Sequence, residues 1–560
     1  MKRYLSKVWK VWIVIFLVVS LSYANEEIKT DQVDKLFVKW DSKTSPGAAL
    51  AIIKDGKIIY KRGYGMANLE HNIPIQTTSV FRVGSTSKQF TAACIALLTL
   101  GGKISLDDNI RRYIPEIADY DSPIKVKHLV FHTSGLRDYT ALMPLAGYRT
   151  DADSPTIDET IEMLSRQKSL NFKPGEMYSY SNSGYFLLSL IVERVSGQSL
   201  NDFAREHIFD PLGMQNTHFH DDFTQIVKKR ADGYSPGKNG FRINMTNWDH
   251  VGDGGIYTNV KDFFKWDQAF YNQKLGKEFV ELIRSPGTLN NGETLDYAFG
   301  LRLGHYRGLK TIGHGGSWVG FRSAVIRFPE QKFSVIILAN LSTMNPSLLC
   351  LKVADIYLAD FFTEKIEPTG KKLMQERAPV TLSAEELQTR AGNYYEEKSG
   401  MWMSVSIEVG KLKISVSNRV FLLKPVTKTS FLAEDSSYDI FLEFEPEEEN
   451  AVQRAGLTMR GGEKVVLVRV PGKKPLSLSA LKEYAGEYYC EELRTSYRLK
   501  VEKETLIFKH RNAPSNPLKA MAPDKFICRR WNINFTRLKS RDIKGFVLGT
   551  GRMLFEFVKE

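Results

Sequence analysis

Short apolar runs separated by glycine-containing turns fill the first 365 residues, and their spacing predicts both strands and helices. Residues 46–53 are apolar at successive positions, and Asp55-Gly56 separates them from a second run at 58–64. An Asp-Gly pair between two such runs predicts a β-hairpin, and the unbroken apolar run predicts a strand buried on both faces. Residues 91–100 carry no charge, are rich in alanine and leucine, and precede two glycines, which predicts a buried helix.

The rest of this region combines helical patterns with a late cluster of strands. Helices are predicted over 124–136, 156–167, 185–195, 199–209, 260–270 and 347–362. Strands are predicted over 309–312, 320–328 and 333–339. Because strands lie near both ends with helices between them, we predict an α/β (α+β) domain. Its N- and C-terminal segments would form one antiparallel sheet that packs against a helical cluster.

A chain of 560 residues is too long for one core, and the pattern changes to short alternating strands after residue 380. The polar stretch 366–380, with two prolines, predicts a linker. Residues 387–395 recur as 481–489, with Ala-Gly and Tyr-Tyr at matching positions. Two such copies predict two small antiparallel β-barrels. We therefore expect domains at 25–365, 381–472 and 473–560, with the barrels supporting or partly covering a cleft in the first domain.

The first 24 residues have the pattern of a secretory signal peptide: a cationic start, an apolar run at 11–21 and the sequence Ser22-Tyr23-Ala24. We predict an exported protein, periplasmic or extracellular, whose mature chain has no transmembrane segment; a retained N-terminal anchor is the alternative. Removing the four basic residues of this leader lowers the formal charge from +13 to +9. That surplus suits an acidic envelope surface, and no nucleic-acid-binding module is visible.

The cysteines and histidines give little reason to expect a metal site. Cys94 and Cys350 lie in apolar helical patterns and are expected to be buried thiols, whereas Cys490 and Cys528 could pair. His128 and His132 are spaced as a metal-binding pair on a helix would be, but no carboxylate follows at a useful spacing, so we favour a structural role. No metal or organic cofactor is predicted.

The strongest chemical signal is Ser85 followed three residues later by Lys88, directly before the apolar helix. Residues at this spacing share a helix face, and free backbone N–H groups at the N-terminus favour an anion beside the serine. Burial and the helix dipole both lower the pKa of a lysine in the first turn. A lysine in that state can accept the proton of a serine nucleophile.

Two further motifs follow in the chain. Tyr180-Ser181-Asn182 lies in a glycine- and serine-rich loop, and His314-Gly315-Gly316 lies just before the predicted central strands. Each is unremarkable alone, since the first could be a turn and the second a β-bulge. The ordered set Ser-x-x-Lys, Tyr-x-Asn and His-x-Gly indicates a hydrolytic site.

Residues 30–365 resemble the serine β-lactamase-like hydrolases of the class C branch. This group includes class C β-lactamases, D,D-carboxypeptidases, D-aminopeptidases and family VIII carboxylesterases. Besides the three motifs, the resemblance covers Pro46-Gly47 and its hairpin, residues 132–135, 172–176, 178–184, 211–214 and 254–257, and the 328–340 hairpin. The doubled barrel is similar to the D-aminopeptidase arrangement, and the barrels are expected to be lipocalin-like.

The resemblance implies a role for each site residue. Ser85 would be the nucleophile of an acyl-enzyme, and either Lys88 or Tyr180 would take its proton. Asn182 would hydrogen-bond Lys88 and the substrate. The backbone N–H groups of Ser85 and Ser317 would form the oxyanion hole, next to Gly315 and Gly316 on the edge strand.

The main departure is at the edge strand, where penicillin-binding members carry Lys-Thr-Gly and this chain has His314 and Gly315. The imidazole charge is expected to depend on pH, and the glycine is expected to open space for a larger substrate group. The leading hypothesis is an amidase or peptidase acting on small D-amino-acid or peptidoglycan-derived substrates. The alternatives are a carboxylesterase for short-chain esters or lactones and a non-catalytic envelope-binding protein. The oligomeric state is left open.

Overall fold

The computed structural model describes residues 27–149, 152–364, 380–396, 401–416, 419–434, 440–445, 452–459, 464–470, 476–511, 515–528, 531–550 and 553–560. The signal sequence predicted at 1–24 and nearly all of the linker predicted at 366–380 lie outside them. Contacts group the chain into two units, Met1–Pro144 with Tyr148–Lys365 and Leu145–Gly147 with Ile366–Glu560. Among the described residues, no helix is both long and apolar enough to cross a bilayer.

One antiparallel sheet organises the first unit. Its strands and the smaller ones around it are β1 (Ala48–Lys54), β2 (Lys57–Tyr64), β3 (Met66–Asn68), β4 (Ile73–Pro74), β5 (Phe81–Arg82), β6 (His218–Phe219), β7 (Tyr234–Gly237), β8 (Gly240–Ile243), β9 (Ile256–Thr258), β10 (Arg302–Tyr306), β11 (Leu309–Trp318), β12 (Phe321–Phe328) and β13 (Phe333–Ala339). The six-stranded sheet has the order β10-β11-β12-β13-β1-β2. Ala48 pairs with Ala339, so segments from both ends of the unit meet in one sheet, as predicted.

The predicted hairpin and its buried strand are confirmed. All but the last residue of β1 are buried, and so is every residue of β13. Asp55 and Gly56 both have positive φ, at 47° and 76°, which is the backbone of a tight hairpin turn between β1 and β2. Two features differ from the prediction. The edge strand β10 was not predicted, and β11 continues to Trp318, well past the predicted end at residue 312.

Helices cover both faces of this sheet. Those before residue 365 are α1 (27–37), α2 (Lys88–Leu100), α3 (Val126–Val130), α4 (Tyr139–Ala146), α5 (Ile157–Ser165), α6 (Asn182–Ser196), α7 (Leu200–Ala204), α8 (Asp210–Leu212), α9 (Val260–Asn272), α10 (Lys277–Arg284) and α11 (Pro346–Tyr357). The helix predicted over 124–136 is wrong in length, because His132 has φ +56° and a left-handed residue cannot continue a right-handed helix. The His128–His132 pair therefore does not share one helix face.

The two faces of the sheet have different cores. Apolar residues of α1 and α11 pack with those of β1, β12 and β13 on one face. On the other face, α9 contacts β1 and β13, and a buried ion pair joins Arg327 of β12 to Asp267 of α9, with Nε and Oδ1 2.9 Å apart. The Arg327 guanidinium also lies 4.1 Å from the centre of the Phe270 ring. A buried pair of this kind needs both members, since either charge alone would be uncompensated.

The second unit contains two antiparallel β structures. A closed barrel is formed by β14 (Gly392–Glu396), β15 (Met401–Glu408), β16 (Lys411–Val416), β17 (Arg419–Pro425), β18 (Ser430–Ala433), β19 (Ile440–Phe444), β20 (Arg454–Met459) and β21 (Val465–Val470). A nine-stranded sheet follows, formed by β22 (Gly486–Cys490), β23 (Thr495–Glu502), β24 (Thr505–Lys509), β25 (Asn516–Pro517), β26 (Lys519–Ala522), β27 (Lys525–Cys528), β28 (Trp531–Arg537), β29 (Ile543–Thr550) and β30 (Met553–Lys559). Its order is β25-β24-β23-β22-β30-β29-β28-β27-β26. The predicted barrel architecture is confirmed.

The internal repeat has a structural basis. Short helices, α12 (Ala384–Arg390) and α13 (Leu478–Glu483), each precede the first strand of a copy. In each copy a serine caps the helix and its leucine is buried. The hydroxyl of Tyr394 donates to the carbonyl of Arg390, and the hydroxyl of Tyr488 donates to that of Tyr484, both at 2.9 Å. The shared residues thus attach the helix to the first strand. Cys490 and Cys528 are both buried in the second copy.

Candidate active site

Ser85 lies where strand β5 passes into helix α2. Gly84–Ser87 form one turn of 3₁₀ helix that leads directly into α2 at Lys88. Gly84 has φ +52°, and a Cβ there would lie 2.8 Å from the backbone nitrogen of Ser317 on β11. A side chain at position 84 would therefore be strained and would push the strand away. Glycine at this position allows the Ser85 turn and strand β11 to approach each other closely.

Lys88 is fully buried, and its side chain is held by three oxygen atoms. Nζ lies 2.7 Å from Asn182 Oδ1, 2.6 Å from the carbonyl oxygen of Asp253 and 3.3 Å from Ser85 Oγ. Burial lowers the pKa of Lys88 to about 8, although the nearby carboxylates of Asp253 and Asp138 oppose this shift. The amine can thus lose its proton near neutral pH, as the sequence predicted.

Tyr180 and Asn182 lie at the start of α6, next to Lys88. The centre of the Tyr180 ring is 4.9 Å from Lys88 Nζ. Burial raises the pKa of Tyr180, an effect that its contact with the Ser85 side chain opposes. Asp138 Oδ2 accepts hydrogen bonds from the backbone N–H and Nδ2 of Asn182, at 2.8 Å and 3.0 Å. These bonds orient the amide so that its oxygen faces Lys88.

Strand β11 brings its glycines and Ser317 close to the Ser85 turn. A Cβ on Gly316 would lie 1.8 Å from the carbonyl oxygen of Val83, so only glycine fits there. A Cβ on Gly315 would point in the other direction, towards Ser347 Oγ at 3.2 Å. Successive side chains of a strand alternate between its faces. The expectation that Gly315 opens space for the substrate is therefore wrong.

The protonation state of His314 differs from the one expected. Only 5% of its surface is exposed, its Nδ1 lies 2.6 Å from the carbonyl oxygen of Gly315, and its Nε2 lies 3.2 Å from the hydroxyl of Tyr297. Burial, together with the charge of Lys88, lowers the pKa of His314 to about 3. The imidazole is consequently neutral over the physiological range, and the expectation of a pH-dependent cation here is wrong. Its place among the catalytic residues stays a prediction.

Tyr297 joins His314 to a second buried imidazole. His132 Nε2 lies 3.1 Å from the Tyr297 hydroxyl, and its Nδ1 accepts a hydrogen bond from the backbone N–H of Ser181 at 3.2 Å. The structural role favoured for His132 from the sequence agrees with these bonds, whereas Tyr297 was not among the predicted site residues. Their contacts join residues 165 and 17 positions apart, so no local pattern could show them.

No group of three His, Cys, Asp or Glu side chains within the described ranges is arranged to hold a metal ion. The histidines of the site take part in hydrogen bonds with protein groups instead. His128 Nδ1, for example, accepts from the backbone N–H of Lys125 at 3.1 Å.

A cavity of about 220 Å³ opens beside Ser85. It is lined by Arg82, Gly84, Ser85, Tyr139, Thr140, Asn182, Trp248, His250, Asp253, Gly254, Gly255, Ser317 and Trp318. Ser85, Asn182 and Ser317 were predicted site residues, whereas the aromatic residues, Arg82 and Asp253 were not. A nucleophile with a low-pKa amine 3.3 Å away can support acyl transfer, and the oxyanion-hole role of the Ser85 and Ser317 backbone N–H groups stays a prediction.

Comparisons with known proteins identify the family of this chain. Penicillin-binding protein 4* of Bacillus subtilis is 32% identical over 334 residues, covering 56% of this chain and 72% of that protein. A D-aminopeptidase of Gluconobacter oxydans is 27% identical over 465 residues, covering 80% of each chain. The fold is similar to that of the octameric penicillin-binding protein homologue from Pyrococcus abyssi, with a TM-score of 0.55 and 24% identity over 80% of this chain and 100% of that one. The family profile described as Beta-lactamase matches residues 33–350. The chain therefore belongs to the beta-lactamase family and is a serine hydrolase.

Proposed function

We propose that this protein is an amidase of the D-aminopeptidase kind, which releases small D-amino acids from amides or peptides through an acyl-enzyme on Ser85. The observation that carries the proposal is the buried Lys88 amine 3.3 Å from Ser85 Oγ, at the edge of the cavity. Similarity to a D-aminopeptidase over 80% of each chain supports the substrate class, because it extends beyond the residues that the family profile matches.

The hydrogen bonds of Lys88 favour this residue as the base. A neutral amine has two N–H bonds and one lone pair, and two oxygens, Asn182 Oδ1 and the Asp253 carbonyl, lie close enough to accept both N–H bonds. The lone pair is then left for the Ser85 hydroxyl. Burial moves the pKa of Lys88 down and that of Tyr180 up, so at neutral pH the lysine is the better acceptor.

The reaction proceeds in two steps. Ser85 Oγ attacks the scissile carbonyl carbon while its proton passes to Lys88 Nζ, and the backbone N–H groups of Ser85 and Ser317 stabilise the oxyanion. The Lys88 ammonium, next to Tyr180, returns that proton to the leaving amine as the C–N bond breaks. Water then attacks the acyl-enzyme ester and gives a proton to Lys88. Lys88 returns that proton to Ser85 Oγ as the ester C–O bond breaks, which releases the acid and restores the free enzyme. Losing one oxyanion donor would cost on the order of 10²–10³ in rate.

A three-substrate panel tests the proposal. Purified protein is assayed with D-alanine p-nitroanilide, a short-chain p-nitrophenyl ester and a chromogenic cephalosporin, alongside Ser85→Ala and the exposed-site control Ser42→Ala. We expect turnover of the D-alanine anilide, a loss on the order of 10⁴-fold or more in Ser85→Ala, and no loss in Ser42→Ala. Turnover of the ester alone would favour the carboxylesterase alternative. A lack of labelling by a fluorophosphonate would favour the non-catalytic envelope-binding alternative.

We also propose that the enzyme is exported and acts on amino-acid or peptidoglycan-derived fragments outside the cytoplasm. The cationic and apolar pattern of residues 1–24 supports this location. N-terminal sequencing of the protein from the periplasm or medium should find Asn25 as the first residue, whereas an intact Met1 in a membrane fraction would contradict it.

A further inference from the structure

The cavity beside Ser85 contains a carboxylate to which the mechanism above gives no role. Asp253 is the one acidic side chain among the described residues that line this cavity. Its backbone carbonyl accepts the hydrogen bond from Lys88 Nζ at 2.6 Å, so its position is fixed relative to the catalytic lysine. A charged group at this place interacts electrostatically with any substrate that enters the cavity.

One carboxylate oxygen of Asp253 accepts a hydrogen bond from the protein, and the other has no partner among the described residues. Oδ1 accepts a hydrogen bond from the buried hydroxyl of Tyr139 at 3.0 Å. Oδ2 has no hydrogen-bond partner among the described residues, and Asp253 lines the cavity. With only 9% of the residue exposed, the carboxylate is largely shielded from bulk water. An acceptor in such a setting interacts strongly with a cation that replaces water.

The charged neighbours leave this carboxylate incompletely balanced. Arg82 also lines the cavity, but its guanidinium donates to the carbonyl of Trp248 at 3.3 Å. Lys88 donates to the Asp253 backbone carbonyl rather than to its side chain, and its charge balances the carboxylate only while the amine is protonated. Asp138 adds a second negative charge nearby. Burial raises the pKa of Asp253 to about 6, and the charge of Lys88 opposes this shift.

We propose that Asp253 is a specificity-determining residue whose Oδ2 binds the free α-ammonium group of the residue that acylates Ser85. This inference rests on the proposed function and gives it a substrate class, amides and esters of amino acids with an unblocked amine. In such a substrate, the amine is attached to the carbon next to the scissile carbonyl. The carbonyl carbon must reach Ser85, so the amine is confined to the small cavity that Asp253 lines.

Two esters isolate the contribution of the amine. D-alanine p-nitrophenyl ester and p-nitrophenyl propionate have the same leaving group and carbon skeleton and differ only in the α-amine. We expect the full-length wild-type enzyme to prefer the D-alanyl ester in kcat/KM, after correction for its greater intrinsic reactivity. Equal corrected kcat/KM values for the two esters would overturn the proposal from the wild-type enzyme alone.

Variants then assign the preference to Asp253. Asp253→Asn keeps an oxygen that can accept from Tyr139 but removes the charge, and we expect the ratio of kcat/KM for the two esters to fall about 10- to 100-fold. Asp253→Glu retains the charge and should recover part of the ratio. Tyr139→Phe is the matched control, because it removes the hydrogen bond and keeps the carboxylate, so its ratio should change less. An unchanged ratio in a folded Asp253→Asn protein would overturn the assignment.

The outcome is distinguishable from failure of the proposed function. An enzyme that cleaves the D-alanyl ester selectively but not D-alanine p-nitroanilide would contradict the amidase proposal and support the role of Asp253. An enzyme that cleaves the anilide but shows no preference between the esters would support the amidase proposal and overturn this inference. Circular dichroism and fluorophosphonate labelling of each variant report folding and an intact nucleophile.

Discussion

Lys88 and His314 are two basic side chains buried close to Ser85, and burial lowers the pKa of both. The pKa of Lys88 falls to about 8 and that of His314 to about 3. A buried cation loses more hydration energy than its contacts with the protein replace, so burial favours the neutral form of both side chains. The two residues therefore differ in what they can do. Lys88 can exchange a proton at neutral pH, whereas His314 stays neutral and acts as a hydrogen-bonding group.

The pH dependence of the reaction should follow Lys88. Because the amine must be neutral to accept the Ser85 proton, we expect kcat/KM to rise with pH and to level off above an apparent pKa of about 8. A stopped-time assay with the preferred substrate between pH 5.5 and 9.5 measures this profile. Lys88→Arg, which remains charged, should lose activity on the order of 10²–10⁴-fold. A rate that is flat between pH 7 and 9 would contradict the assignment of Lys88 as the base.

A series of hydrogen bonds through the hydroxyl of Tyr297 connects three separate elements. His132 follows α3, Ser181 precedes α6, and His314 lies on β11. The bond from Ser181 N–H to His132 Nδ1 places the proton of that neutral ring on Nε2, from which it is donated to Tyr297. His314 Nδ1–H donates to the Gly315 carbonyl, so its Nε2 accepts from the Tyr297 hydroxyl. Each buried donor in this series thus has an acceptor.

Removing the Tyr297 hydroxyl should therefore weaken the connection between these elements. In Tyr297→Phe, both His132 and His314 lose a partner in a buried setting, and we expect a loss of about 1–3 kcal/mol in the free energy of unfolding. Urea denaturation measures it. Tyr178→Phe is the matched control, since the Tyr178 ring packs against His132 and Tyr297 but its buried hydroxyl has no hydrogen-bond partner among the described residues. Equal losses in the two variants would contradict this account.

Acid should destabilise the whole molecule through its buried histidines. Burial lowers the pKa of His128 and His250 to about 4 and that of His314 to about 3. Between these values and the ordinary pKa of about 6.5, only the unfolded chain binds the protons. The stability is therefore fully present above pH ~6.5 and is lost as the pH falls towards 4. Asp253, whose pKa burial raises to about 6, opposes this trend.

We expect the free energy of unfolding to fall by up to about 1.4 kcal/mol per pH unit for each such histidine below pH ~6. Urea titrations at pH 7.5, 6 and 5 measure the slope, and His250→Gln should make it shallower because one titrating group is removed. A stability that is constant or rises between pH 7 and 5 would show that the histidines are not buried in the neutral form.

Local sequence patterns predict many of the helices and strands and the order of the catalytic motifs. The 46–64 hairpin, the α2 helix, the strands β12 and β13 and the repeated barrels follow from local apolar patterns and turn residues, and each is present. The contact between Lys88 and Asn182 was also predicted, because the resemblance to the class C branch implied it. These features depend on residues close in the chain or on recognisable motifs, which is why a pattern could reveal them.

The direction and the environment of the side chains instead depend on how distant segments pack together. The alternation of β11 turns Gly315 away from the Ser85 turn, and burial leaves His314 neutral. Asp253 lies 165 positions from Lys88, and Tyr297 lies the same distance from His132. Solvation and through-space contact fix the charge of a group, and both arise when distant segments pack. A linear pattern therefore could not indicate which carboxylate lines the cavity or which imidazole is neutral.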